Sequence, residues 1–221
     1  RWSQPQIVFM LGYGMLANGL LDTFFSYNIR MISRRLGRGQ LDHTLIQPQP
    51  VWLSLLTEGF APFSGSALLL PGLGLMAWAA LRLALPLSPA WIALLFLNVL
   101  GSAGVILAFS FVWGSAAFWA PRAAEEISMS SGEILGELKS FPLDALGPVL
   151  LGGLLTVLPV GFVAWYPSRA LLGLDPHPWS VAVTPLAALV LAAASAALFL
   201  KGMQHYGRTG SQRYDSMGHR R

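Results

Sequence analysis

Charged side chains are so sparse in this sequence that five long stretches run without one: from Arg1 to Asp22, Glu58 to Arg82, Arg82 to Arg122, Asp144 to Arg169, and Asp175 to Lys201. An ionised group at the centre of a bilayer costs about 2.5–3.5 kcal/mol on insertion scales, and a helix crosses the hydrocarbon in roughly 20 residues, so each gap reads as one crossing. The gap from Arg82 to Arg122 is long for one helix, but its turn, Pro86 to Pro89, lies at one end and leaves a loop followed by a single helix. Backbone groups in lipid must pair internally and no stretch shows strand alternation, which selects helices over barrel strands. The expected fold is an all-α integral membrane protein: one membrane domain over residues 1–221 with five spans, at about 5–25, 51–81, 90–119, 147–165 and 179–200.

Composition agrees, with 54% hydrophobic and 11% charged residues and a mean hydropathy of +0.57; five crossings leave no room for a separate soluble catalytic domain. The absence of cysteine excludes disulfides, iron–sulfur clusters and thiol nucleophiles. Alternating spans put residues 26–50, 120–146 and the tail 201–221 on one side, with Arg30, Arg34, Arg35, Arg38, Arg122, Lys139, Lys201, Arg208, Arg213, Arg220 and Arg221. The other side keeps Arg1, Arg82 and Arg169. The positive-inside rule makes the first side cytoplasmic, so the C-terminus is expected inside and residue 1 outside a multi-pass cytoplasmic (inner) membrane protein. An outside start without a signal peptide implies an earlier span, six in the intact protein with the first missing here.

The segment RRLGRGQLDHTLIQPQP, residues 34–50, interrupts this apolar chain on the cytoplasmic side. Gly37 and Gly39 permit a bend where the chain leaves the membrane, and a short helix restarts in QLDHTLIQ. Leu41 and Leu45 fall at i and i+4 on one face, Gln40, Asp42 and His43 point away, and Pro48 and Pro50 stop the turn. The arginines alone are equally explained by orientation and contact with anionic lipid.

The run YGMLANGLLDTFFSYNIRMISRRLGRGQLDHTLIQPQP resembles the corresponding part of ABC-2-type transporter permeases, an uncharacterised exporter-permease branch whose members carry Gly-Glu-Leu-Asp, paired aliphatic residues and Arg-Pro. GSAAFW at 114–119, KSFPLDALGP at 139–148, LPVGFVAWYPSRALLG at 158–173 and HYGRTGS at 205–211 follow in the same order. The resemblance implies a non-catalytic permease subunit of an ATP-driven ABC exporter: two permease chains, identical or related, form the substrate pathway, and two separate ATPase subunits bind below them. No cofactor is expected on this chain, and there is no GxxxxGK[ST] loop; ATP and Mg belong to the partner ATPase. Residues 34–50 take the place of the family's coupling helix. Gly39, Leu41, Asp42 and Pro48 match its element, whereas Gln40 stands for an acid and Gln47 for an arginine. Leu41 and Leu45 are expected to anchor the helix, and Arg38, Asp42 and His43 to touch the ATPase; by alternating access, the helix transmits ATPase closure to the bundle.

Other constellations carry less. Glu125, Glu126, Glu133 and Glu137 face only Arg122 and Lys139 within 120–146 and read as an acidic surface helix, not a catalytic pair. Asp22 reads as an interfacial acid, and Glu58 as an interfacial or pathway carboxylate. His43 has no second ligand at metal spacing, so no metal site is expected. Gly101 with Gly104, Gly152 with Gly153, and Ala192–Ala197 permit close helix packing. Pro159 is expected to bend the fourth span. A membrane-embedded enzyme needs clustered polar groups in the bilayer, and an ATPase-independent channel or secondary transporter needs midplane ion sites or repeated halves. Neither pattern is visible, and nothing suggests nucleic-acid binding. An apolar pathway suits a lipid, a hydrophobic natural product or a drug.

Overall fold

A computed structural model of the chain describes residues 2–25, 32–37, 40–57 and 62–210. Arg38, Gly39 and Glu58, three of the singled-out residues, lie outside the described residues, as does the tail from 211. Ten α-helices account for the fold: α1 Gln4–Phe24, α2 Ile32–Gly37, α3 Leu41–Leu45, α4 Val51–Thr57, α5 Pro62–Arg82, α6 Pro89–Ala116, α7 Pro121–Leu138, α8 Pro148–Thr156, α9 Trp165–Leu171 and α10 Ser180–Thr209, with no strand among the described residues. The expected all-α membrane fold is the fold observed. Three helices, α1, α6 and α10, are long and apolar enough to cross a membrane, and α5 contains the shorter apolar helix Ala67–Arg82.

Local sequence sets the helix limits. Ser88 caps α6 by accepting from the Trp91 amide at 3.2 Å, with Pro89 at the first helical position, where its missing N–H costs nothing. α10 stops at Gly210, whose φ of 72° suits glycine.

Five long helices form the bundle, and side-chain contacts fix their directions. α1 and α5 run antiparallel, touching at Gly12 and Gly72; a Cβ on Gly12 would lie 2.9 Å from the Gly72 carbonyl oxygen. α6 and α10 run parallel, because Gly101 meets Pro185 and Gly104 meets Ala188 midway along α6 and early in α10, while Phe118, just past the end of α6, fills the space over Gly202 near the end of α10. Pro185 cannot donate to the carbonyl of Val181, and Asn98 Nδ2 occupies that acceptor at 2.9 Å, so a side chain of α6 repairs the gap the proline leaves in α10. One end of the bundle holds Trp2, the start of α6 and the start of α10; the other holds α2, α3, α4 and the end of α10.

The structure departs from the expected fourth span. In place of one helix over 147–165 it has α8, a 3-10 turn at Pro159–Phe162, and α9. The proline does not bend a continuous helix; the helix ends and the chain doubles back. Asp144 meets Trp2 at one end, the turn meets Ser102 in the middle of α6, and the Leu171 carbonyl accepts from Trp91 at the first end again, 3.1 Å away. Residues 148–172 form a hairpin whose two ends both lie at that end of the bundle. The traverse between the ends falls instead to α7, the acidic helix expected at the surface. Arg34 pairs with Glu125 at its start, Leu135 and Leu143 lie in the core with Phe9 and Val160, and Asp144 joins Trp2 beyond its end. Its 18 residues reach about 27 Å. Hydropathy could not reveal this, because the four glutamates of α7 lower its average although Ala124 and Leu135 are buried against the bundle.

Candidate coupling surface and transport face

The end formed by α2, α3, α4 and the C-terminal turns of α6 and α10 has its own small core. Ile32, Leu36, Leu41, Leu55, Phe118, Phe199 and Tyr206 are all buried there. Ile32 sits against Gly114, where an added Cβ would come within 2.8 Å of its Cδ1, so α6 lacks a side chain where α2 crosses. Arg34 Nε donates to Glu125 Oε1 at 2.6 Å and ties α2 to α7. Both side chains are part-exposed, so this charged bond contributes at the modest end for an ion pair.

α3 lies on that core. Leu41 is wholly buried, as expected of an anchor, but its companion is Thr44, at i+3, and not Leu45. Leu45 is 43% exposed and Ile46 is 81% exposed. The departure follows from length: five residues make little more than one turn, and the second buried position falls where that turn meets the core. Gln40, Asp42, His43 and Pro48 are exposed with Leu45 and Ile46. The exposed surface of α3 is therefore mixed, an apolar pair beside three polar side chains.

Two neighbours of α3 hold it from either side. Gln47 accepts from the Ser54 hydroxyl at 2.9 Å and secures the turn onto α4. Asp42 Oδ1 accepts from the Tyr206 hydroxyl of α10 at 2.7 Å. Tyr206 was not singled out in the sequence, although it lies in the HYGRTGS signpost; only the folded contact gives it a role.

The opposite end is organised by one carboxylate. Asp144 accepts from the indole nitrogen of Trp165 at 2.8 Å, from the indole nitrogen of Trp2 and from the Arg169 guanidinium. Arg169 also lies over the Trp165 ring, 5.1 Å from its centroid. The start of α1, the segment after α7 and α9 thus meet at one acid. Asp144 and Arg169 stood at the two edges of an apolar gap, and their pairing was hidden by reading that gap as a crossing.

α7 has two faces. Ala124, Ser131 and Leu135 are buried, while Glu126, Ser130, Glu133 and Glu137 are exposed at spacings of four, three and four, which keeps them in one stripe. Between its acids α7 also exposes Ile127, Met129 and Ile134. Large apolar side chains point outward on the other helices too, among them Leu70, Leu73 and Leu81 on α5 and Leu186, Leu189 and Val190 on α10.

A helical bundle with apolar flanks and three helices of membrane-crossing length and composition has the build of an integral membrane protein. The chain belongs to the ABC-2 family of transporter proteins: the family's model, described as "ABC-2 family transporter protein", matches residues 1–210. It is a multi-pass membrane protein and a transporter membrane component of that family. No curated protein and no solved structure matches the chain.

Proposed function

We propose that this chain is the membrane subunit of an ATP-driven exporter, that two such permease chains form the substrate route, and that two separate ATPase subunits drive it from the α3 end. That end is cytoplasmic in this reading, and residue 210 lies inside. The observation that carries the reading is α3 itself. It is a short helix held to the bundle by a buried leucine and two side-chain hydrogen bonds, with Gln40, His43, Leu45, Ile46 and Pro48 turned outward as a docking surface. A surface built only to orient the protein needs basic residues but no such fixed helix.

α7 supports the paired arrangement. Burying its acidic stripe in hydrocarbon would cost a few kcal/mol for each carboxylate, so this helix crosses the membrane with Glu126, Glu133 and Glu137 turned to water at the seam between two chains. The route is then wetter on that side than composition alone implied, and suits amphiphiles with polar headgroups better than bare hydrocarbon. With α7 crossing, the lysine and arginine bias toward the α3 end survives: Lys139 joins Arg1, Arg82 and Arg169 outside, and the other ten basic residues stay inside.

The test is purification from membranes under mild detergent, followed by ATP hydrolysis and reconstitution. The reading expects a second polypeptide with a phosphate-binding loop that hydrolyses ATP, and solute movement only with ATP. Transport by this chain alone, driven by a gradient and indifferent to ATP, would favour the channel or secondary-transporter alternative.

A further inference from the structure

Asp42 is one of the residues that the family resemblance implies would touch the ATPase, yet one of its oxygens is already engaged within the chain. The Tyr206 hydroxyl donates to Asp42 Oδ1 at 2.7 Å. Tyr206 is 6% exposed whereas Asp42 is exposed, so the bond ties a surface carboxylate to a buried ring. Its ring meets the Phe118 ring edge-on at a centroid distance of 6.0 Å, and Phe118 meets Phe199 at 5.7 Å. Phe118 reaches that place because residue 202 is glycine; a Cβ there would fall 2.2 Å from Phe118 Cδ2. A hydrogen bond to an ionised acceptor is roughly twice as strong as a neutral one. The bond and the ring stack make one unit of α3, the end of α6 and the end of α10.

We propose that Asp42 is a positioning residue that fastens the coupling helix to α10 through Tyr206, and that α10 is the helix that receives the movement of α3. This rests on the coupling reading above. A helix of five residues has too little internal cooperativity to act as a lever unless something holds it. Leu41 supplies an apolar hold, but apolar contact lets a helix slide or roll; a directional bond beside it fixes the rotation. α10 runs unbroken for 30 residues from this point to the far end, where Asn98 and Pro185 lock it to α6. Displacement of α3 is thereby delivered to the helix pair that reaches the hairpin, since Trp91 near the start of α6 donates to the Leu171 carbonyl. α5, which packs on α1, receives no comparable side-chain bond from α3 among the described residues.

The two roles for Asp42 separate by substitution. Asparagine keeps an acceptor for the Tyr206 hydroxyl but removes the charge, whereas phenylalanine at 206 removes the donor and leaves Asp42 charged. The experiment uses the intact complex with its ATPase in vesicles, and reads the amount of ATPase retained, the permease-dependent ATP turnover, and the distance between spin labels at Gln204 and Leu73 with and without a trapped nucleotide. Labelling is clean because the chain has no cysteine. Tyr206→Phe and Asp42→Ala are each expected to retain the ATPase, to lose about tenfold in permease-dependent turnover, and to lose the nucleotide-driven distance change. Asp42→Asn recovers most of both, and the double variant is no worse than either single one. A Tyr206→Phe complex equal to wild type in turnover and distance change overturns the proposal, as does an Asp42→Asn complex as damaged as Asp42→Ala. Failure of the wild-type chain to retain any ATPase sinks the coupling reading itself, and is distinguishable from both.

Discussion

Tyr13 donates its hydroxyl proton to Ser102 Oγ across 2.8 Å, at the midpoint of the bundle, and Ser102 hands its own proton to the Phe162 carbonyl at 2.8 Å. The direction is settled by Ser102 having only one proton to give. Both residues are wholly buried. This relay joins α1, α6 and the tip of the hairpin, and satisfies a carbonyl that the 3-10 turn would otherwise leave bare in an apolar setting.

Removing the relay therefore exposes two polar groups to an unpaired state. Ser102→Ala should destabilise the protein by about 1–3 kcal/mol, because the Tyr13 hydroxyl and the Phe162 carbonyl both lose a partner. Tyr13→Phe should cost less, since Ser102 keeps its acceptor. Thermal unfolding in a fixed detergent, followed for the two variants side by side, gives the order; a Tyr13→Phe variant less stable than Ser102→Ala would contradict it.

Asp144 is predicted to hold the hairpin shut against α1. Replacing it with alanine strips acceptors from Trp2, Trp165 and Arg169 together, and a loss of about 1.4 kcal/mol opens a segment tenfold more often. Amide exchange across residues 148–172 should accelerate about tenfold or more in Asp144→Ala, with exchange in α10 unchanged. Uniform acceleration everywhere would mean the acid supports the whole fold and not this latch.

Close approach of α1 to α5 depends on glycine at 12. In Gly12→Ala the new methyl lies 2.9 Å from the Gly72 carbonyl oxygen, and backbone cannot swing aside as a side chain can. A penalty of about 1–3 kcal/mol is expected. Gly74→Ala, on the same helix pair but with nothing within 4 Å of the added Cβ, is the control and should be close to neutral. Equal melting points for the two variants would remove the packing argument.

The acidic stripe of α7 predicts where water reaches. Single cysteines at Glu133 and Glu137 should react with a membrane-impermeant maleimide in open membrane fragments, and cysteines at Leu73 and Leu189 should not. Protection of residues 133 and 137 together with 73 and 189 would place that stripe against lipid or another helix, and the seam would have to be sought elsewhere.

How much of this could be read in advance follows from which signals are local. Charge-free length placed α1, α6 and the start of α10 within a few residues, because hydrocarbon thickness acts on each helix separately, but it ended α10 at 200 where the helix continues to Thr209. The chain reversal at Pro159 and the run of α7 between the two ends of the bundle were not legible. An apolar hairpin and an apolar span have the same composition, and an amphipathic helix packed along the bundle averages to the polarity of a surface one; only contacts such as Asp144 with Trp2 distinguish them. At the α3 surface, Leu41 was legible from its place before a proline stop. Tyr206 was not, since its partner lies 164 residues earlier.

The central claim, that the α3 surface is where an ATPase docks, is tested most directly by placing a photo-crosslinking residue at His43 and, separately, at Trp179 on the opposite end, and irradiating intact membranes. The account predicts that position 43 captures a polypeptide that carries a phosphate-binding loop and hydrolyses ATP, and that position 179 captures none. Capture of that ATPase from position 179, or of lipid alone from position 43 in membranes where the ATPase is present, would contradict it.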